Sequence, residues 1–363
     1  MKVAIIGAGI SGLACAHELE RHGINPDIFE QRSKAGELFS HVSAMMDLFI
    51  RPKRDPVDYL HQQFNLKLQP LNTMKKVTMN MPGVVRDVTG DLGYFFLRGQ
   101  NKGSVEQQLA AKIKSPINYN TAVNFEETTK EYDYVVVCTG NNHAAQTLGL
   151  WDNLFHSLLR GVIVLGEFDP HTILMWFNKK YNDTGYAYLT PYDEKMASLV
   201  LIVRNIGPEE LDDYWHLFWE NEGFDKKYKI IESFTLEHTA GWVYPHQLGN
   251  ILFAGNAGGI LEPFLGFGQI SSLRSGVYAG QAIAQNKDYE KLLAPIITDI
   301  ERSTILREYL NKGSNKALDL VTVGVTLPGI KQIIYNTNVD VFKYGVGVMK
   351  IIDKITGDRF SRQ

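Results

Sequence analysis

Val3-Ala4-Ile5-Ile6-Gly7-Ala8-Gly9-Ile10-Ser11-Gly12 opens the chain with an unbroken apolar run that gives way to three spaced glycines. A run with no polar position is what a strand covered on both faces requires. The next residues predict a helix, with Leu13, Ala16 and Leu19 on one face, Glu18, Glu20 and Arg21 off it, and Gly23 as its stop. A second strand over 26–30 ends in Glu30. Strand, turn, helix and strand make a βαβ unit, and its turn reads G-x-G-x-x-G. Gly7 permits the tight turn, Gly9 lets a pyrophosphate reach the backbone, and Gly12 lets helix and strand pack closely. Ile10 and Ser11 begin the helix, whose free N–H groups and dipole favour a diphosphate. Glu30, about 20 residues on, can accept the ribose hydroxyls of an adenosine and would repel a 2′-phosphate. These residues predict a dinucleotide site. On their own they leave NAD and FAD both open.

Two more apolar runs, 134–138 and 251–254, have the same buried-strand character. Between them the chain changes. Runs rich in β-branched and aromatic residues at 162–165, 173–177, 186–189 and 199–203 are separated by turn residues such as Asp169-Pro170 and Asn182-Asp183, which predicts an antiparallel sheet. Pro208 starts an amphipathic helix carrying Leu211, Trp215 and Phe218 on one face and ending near Gly223, and a strand over 230–236 comes after it. From about 290 onward the pattern is helical, broken at Gly313 and Pro328. The nucleotide fold is therefore interrupted by a β-rich module.

At roughly 150 residues per domain, 363 residues make about two domains. A composition of 44% hydrophobic and 21% charged residues excludes a disordered or collagenous chain. A net charge of −3 argues against a nucleic-acid partner. Two cysteines, Cys15 and Cys138, make no disulfide framework and fit a reducing compartment, so a cytoplasmic location is expected. With only Met1-Lys2 ahead of the apolar run at Val3, a secretory signal is not expected, and no apolar stretch reaches spanning length. The longest late run, 320–330, is broken by Thr322, Gly324, Thr326 and Pro328, which leaves peripheral membrane contact open. The ten histidines show no metal-ligand spacing, and a G-x-S-x-G elbow is absent.

Two further stretches select the cofactor. The first, Glu30-Gln31-Arg32-Ser33-Lys34-Ala35-Gly36, is close to the E-[KR]-x-x-x-x-G run of FAD-binding flavoproteins. The second is Asn250-Ile251-Leu252-Phe253-Ala254-Gly255-Asn256-Ala257-Gly258, continuing through Glu262-Pro263-Phe264-Leu265-Gly266-Phe267-Gly268-Gln269. It resembles the G-D-A-A-G…P-x-x-G-x-G flavin stretch of the para-hydroxybenzoate-hydroxylase-type flavoproteins. The resemblance is nearest to their geranylgeranyl reductase branch, and Gly185-Tyr186-Ala187-Tyr188-Leu189-Thr190-Pro191 is similar to that branch's G-Y-x-W-x-F-P strand. It implies an α/β fold: a discontinuous Rossmann-like FAD-binding domain over 1–40, 95–155 and 245–290, an antiparallel substrate domain over 41–94 and 156–244, and a helical C-terminal region over 291–363.

The same resemblance implies an FAD site. Besides Gly7, Gly9, Ile10, Ser11, Gly12 and Glu30, the expected contacts are Gln31 and Arg32, Ala122 and Val123, Thr139 and Gly140, Gly255 and Asn256, and the loop residues Pro263, Gly266, Phe267, Gly268 and Gln269. Gly36 is expected to bring backbone to the cofactor as well. A flat backbone at 263–269, leading into a helix start, stabilises negative charge on reduced flavin. Arg98 either approaches the ribityl-phosphate region or is a strand-end surface arginine. Tyr186 and Tyr188 share one face of a strand and either line the substrate pocket or simply favour the strand.

Three departures bear on function. Asn256 replaces the usual Asp, Thr139 replaces the Asp of the hydroxylases' Asp-Gly motif, and 36–46 lacks the cysteine of archaeal-type prenyl reductases. Cys138 reads as a core residue. The expected activity is hydride transfer from reduced FAD to a C=C bond of an apolar, isoprenoid-like substrate, with NAD(P)H or ferredoxin as external donor and a water or a side chain as proton source. His41, His61 and Tyr244 are available as proton donors. A flavin monooxygenase and a non-catalytic flavin- or lipid-binding protein are the alternatives, and the oligomeric state is left open.

Overall fold

The computed structural model describes residues 1–37, 39–52 and 55–347. Val3–Ile6 is buried along its length and forms the middle of a six-stranded sheet. It pairs in parallel with Asp27–Phe29 on one side and Tyr134–Val137 on the other, and Ile251–Phe253 continues the parallel set beyond Tyr134–Val137. Ile117–Asn118 closes one edge in parallel and Gln247–Leu248 closes the other antiparallel. The four central strands are those expected at 3–6, 26–30, 134–138 and 251–254; the first keeps its expected bounds and the other three are a residue or two shorter.

The helix Ile10–Arg21 lies against a second long helix, Gln269–Gln285. Glycine makes that contact possible. A Cβ on Gly276 would sit 2.0 Å from the Ser11 carbonyl oxygen, and one on Gly12 would sit 2.0 Å from that of Gly7. The two helices and the strand beneath them therefore share one dry core that also holds Leu13, Cys15, Leu252, Leu273 and Val277.

The second sheet has eight strands, in the order Lys229–Val243, Trp151–Leu165, Met196–Arg204, Tyr186–Pro191, Thr172–Trp176, Asn72–Asn80, Val85–Arg98 and His41–Met46. All neighbours are antiparallel except Asn72–Asn80 with Thr172–Trp176. The helix Leu211–Asn221 covers one face through Leu211, Trp215 and Phe218. The 230–236 and 162–165 runs are only parts of two 15-residue strands, and three strands before residue 100 carry no clear run. These strands reach across to the first sheet. Val85–Arg98 runs past residue 95, and the strand beginning at Trp151 starts before 156, so both overlap the boundaries set from sequence.

Helices Tyr289–Lys312, Asn315–Thr326 and Ile330–Asn336 complete the order of elements. The last sixteen positions of the expected 291–363 helical region, 348–363, lie outside the described residues. Among the described residues no single helix is long and apolar enough to cross a membrane; the pair Asn315–Thr326 and Ile330–Asn336 passes that test only together, bent by 77°.

Candidate functional site

A continuous cavity of about 570 Å³ runs between the two sheets. At one end the glycine turn forms its wall. Gly7 has φ +107° and no room for a side chain, since a Cβ would meet the Cys138 carbonyl oxygen at 2.4 Å. The space before Gly9 is clear to 4 Å, which leaves the backbone approachable from the cavity. Glu30 is buried, and its carboxylate accepts from the backbone N–H of Ala8 and of Arg32, both at 2.9 Å. The acidic strand end thus ties down the glycine turn, and each oxygen keeps a further acceptor position.

Gln31, Arg32, Ala122, Val123, Thr139 and Gly140 surround the same end. Arg98 lines the cavity next to Gly36 and is not a surface arginine: it pairs with Glu106 at 2.7 Å and Glu37 at 3.5 Å. Burial works against its charge, but the two carboxylates outweigh it and raise its pKa.

Gly266, Phe267, Gly268 and Gln269 line the cavity as well, as does Asn256, whose neighbour Gly255 abuts Ser11. Gly268 caps the helix Gln269–Gln285, whose first N–H groups have no partner within the helix. The Gln269 side chain donates to the Ala44 carbonyl at 3.2 Å, while its buried oxygen has no donor. Three expected contacts lie off the cavity wall. Gly12 is consumed by helix–strand packing, and Gly255 sits in a left-handed turn where a Cβ would meet Ser11 Oγ at 2.6 Å. Pro263 presents its carbonyl to Arg204 at 2.9 Å.

Tyr186 and Tyr188 both line the cavity, stacked with ring centroids 5.8 Å apart. Burial, the largest cause in each case, pushes both phenols up, so they stay protonated at neutral pH. The Tyr186 hydroxyl donates to the Leu265 carbonyl and so ties the sheet to the loop before Gly266. Of the three side chains named as proton donors, His41 lines the cavity, whereas His61 faces solvent and Tyr244 is 76% exposed. Cys138 is buried, with its thiol pushed up to about 12 by burial and only partly offset by Ser11.

Sequence reading missed His238, Arg204, Ser157 and the apolar wall of Leu159, Val200, Ile202, Phe234 and Leu236. Period-two alternation within the long strands was the available signal. Its polar positions, Ser157, Arg204 and His238, fell where runs seemed to end. His238 Nε2 lies 3.1 Å from the Asn256 side-chain nitrogen. Burial first, then the positive charge of Arg204, lower the imidazole pKa. A neutral imidazole accepting at Nε2 carries its proton on Nδ1.

The residues present fit FAD: an approachable glycine turn, an acidic strand end, a helix N-terminus, and an unpartnered buried Gln269 oxygen at the flavin end. Residues 5–66 match the NAD(P)-binding Rossmann-like domain family. Mitochondrial protoporphyrinogen oxidase of Nicotiana tabacum is 52% identical over 42 residues, which is 12% of this chain and only 8% of that enzyme. A geranylgeranyl bacteriochlorophyll reductase-like protein from Thermoplasma acidophilum superposes with a TM-score of 0.73 at 17% identity, covering 97% of this chain and 95% of that one. A triple mutant of a flavin-dependent brominase gives 0.68 at 11% identity over 97% and 99% of the two chains. At these identities the likeness establishes the fold, and it extends across both sheets.

Proposed function

We propose that this chain, which has the fold of flavin-dependent oxidoreductases and an FAD-shaped site, is a reductase of carbon–carbon double bonds in an apolar, isoprenoid-like substrate. FAD, when bound and reduced, supplies the hydride chemistry. The glycine turn and Glu30 would hold its adenosine and diphosphate half. Gly266, Phe267, Gly268 and the start of the helix Gln269–Gln285 would meet its ring end, where the helix dipole would favour negative charge. The observation that carries the substrate reading is the apolar face the large sheet turns to the cavity: Leu159, Val200, Ile202, Phe234 and Leu236, closed by Tyr186 and Tyr188. Phe39 stacks on Phe234 at 5.1 Å and lids that face. Thr139, in place of an aspartate, is a further reason to favour reduction over oxygenation.

The purified protein is expected to be yellow, with flavin absorption near 450 nm. Protein reduced anaerobically with NADH, NADPH or reduced ferredoxin should be reoxidised by a polyprenyl compound that gains two hydrogens, read by mass spectrometry. Substrate-dependent oxygen consumption with incorporation of oxygen into product would replace this reading with a monooxygenase. A bound flavin that no reductant bleaches would replace it with a non-catalytic binding protein.

A further inference from the structure

The register of the large sheet sorts its cavity face into rows. Arg204 pairs with Ser157, and Ser157 with His238, so three polar residues lie side by side on adjacent strands. The next row, two residues along each strand, is Leu236, Leu159, Ile202 and Tyr186; the row after is Phe234, Gly161, Val200 and Tyr188. One polar row therefore borders two apolar ones, at the end where His238 meets Asn256 and Arg204 meets Pro263.

Arg204 is the anomaly in that row. It is only 5% exposed, its guanidinium lies 3.8 Å over the Phe155 ring, and Nη2 donates to the Pro263 carbonyl. Its Nε has no acceptor, and among the described residues no carboxylate forms an ion pair with it. Burial lowers its pKa to about 10, with Tyr186 and Glu262 acting against the shift, so it is still a cation at neutral pH. Glu262 acts on it only from beyond ion-pair distance, and a buried cation with no carboxylate in contact is costly and is stabilised by an anion that enters beside it. His238 adds a hydrogen bond donor without adding charge, and Ser157 adds a hydroxyl.

We propose that Arg204, Ser157 and His238 form a subsite for an oxyanion, a carboxylate or phosphate carried by the substrate, whose hydrocarbon part lies on the apolar rows. The substrate class is then an amphiphilic acid rather than a plain hydrocarbon. This rests on the reading of the apolar rows as the substrate wall.

The test uses FAD-loaded protein titrated with decanoate, decyl phosphate and decanol, three probes with one tail and different heads, monitored by calorimetry and by the flavin spectrum. The acids should bind at least ten-fold more tightly than decanol. Arg204→Gln should abolish that preference with FAD retained, and Arg204→Lys should keep part of it; the tighter acid identifies carboxylate or phosphate. Equal binding of decanol and both acids to the unsubstituted protein overturns the subsite and leaves the apolar wall standing. Failure of all three probes to bind overturns both. A preference that persists in Arg204→Gln overturns the assignment, and release of FAD from that variant hands Arg204 to the cofactor instead. The comparison of heads on unsubstituted protein decides the matter even where the variant does not fold.

Discussion

The two sheets carry their instructions differently. The six-stranded sheet is made of strands of two to four residues that are apolar throughout at its centre, because helices cover both faces and every side chain must be buried. The eight-stranded sheet is made of strands of up to 15 residues with one face on a helix-covered core and the other on a cavity. A polar residue in the first sheet would be buried without a partner. In the second it is the means by which the cavity acquires chemistry, as Ser157, Arg204 and His238 show. One sheet is specified by glycines and continuity, the other by alternation, and substitutions should separate the two.

Gly12→Val tests the first mode hardest. The new side chain would meet the Gly7 carbonyl, which belongs to the turn and cannot withdraw without opening it. The expected loss is upwards of ~3 kcal/mol of stability, together with all FAD binding. A fall in the thermal midpoint and a colourless protein on purification are the readouts. Wild-type flavin content in this variant would show that the turn does not hold the cofactor.

Glu30→Ala should do less damage to the fold and more to affinity. It removes the acceptor for two backbone N–H groups of the nucleotide turn, worth about 2 kcal/mol between them. FAD affinity should fall at least ten-fold, measured by fluorescence on titrating apoprotein. Glu30→Gln, which keeps one acceptor oxygen, should fall between the two.

The contrast also explains what could be read from residues alone. Parallel strands with no polar position, the G-x-G-x-x-G turn, Glu30 and the 250–270 stretch were all legible, because burial and close backbone approach leave few residue types to choose from. The strands His41–Met46, Asn72–Asn80 and Val85–Arg98 were not, since residues such as Lys75, Lys76, Arg86 and Asp87 sit among their core positions. For the site, Arg98 was found but left undecided between cofactor and surface, because Glu37 and Glu106 join it only through the fold. His238 and Arg204 were missed, because what makes them matter is a register across three strands. Pairing of that kind is set by tertiary structure, and a single strand does not announce it.

Gly161→Ala probes the second mode with a smaller expected effect. Its Cβ would stand 2.1 Å from the Phe234 ring, which fills the space above Gly161 and stacks on Phe39. Displacing that ring should cost about 1–2 kcal/mol and weaken decanol binding several-fold, with FAD content unchanged. Loss of flavin from this variant would show that the two sheets are not separable as argued.

The smallest effect expected is a pH dependence centred on His238. Burial, the largest influence on the imidazole, lowers its folded-state pKa; Arg204 and His156 act in the same direction, and Glu37 opposes them. Unfolded, the ring titrates near its ordinary value of about 6.5. The unfolded chain therefore binds the proton more readily. Stability from this group is fully present above about pH 6.5 and is lost as pH falls through the window down to the folded-state value. Protonation also removes Nε2 as acceptor for the Asn256 amide, so the flavin end of the site should loosen in the same window. His238→Gln, which keeps a neutral polar side chain with no titration, should flatten the fall in unfolding midpoint between pH 7 and pH 5. An identical slope in both proteins would assign the acid sensitivity elsewhere and leave the His238–Asn256 contact as packing.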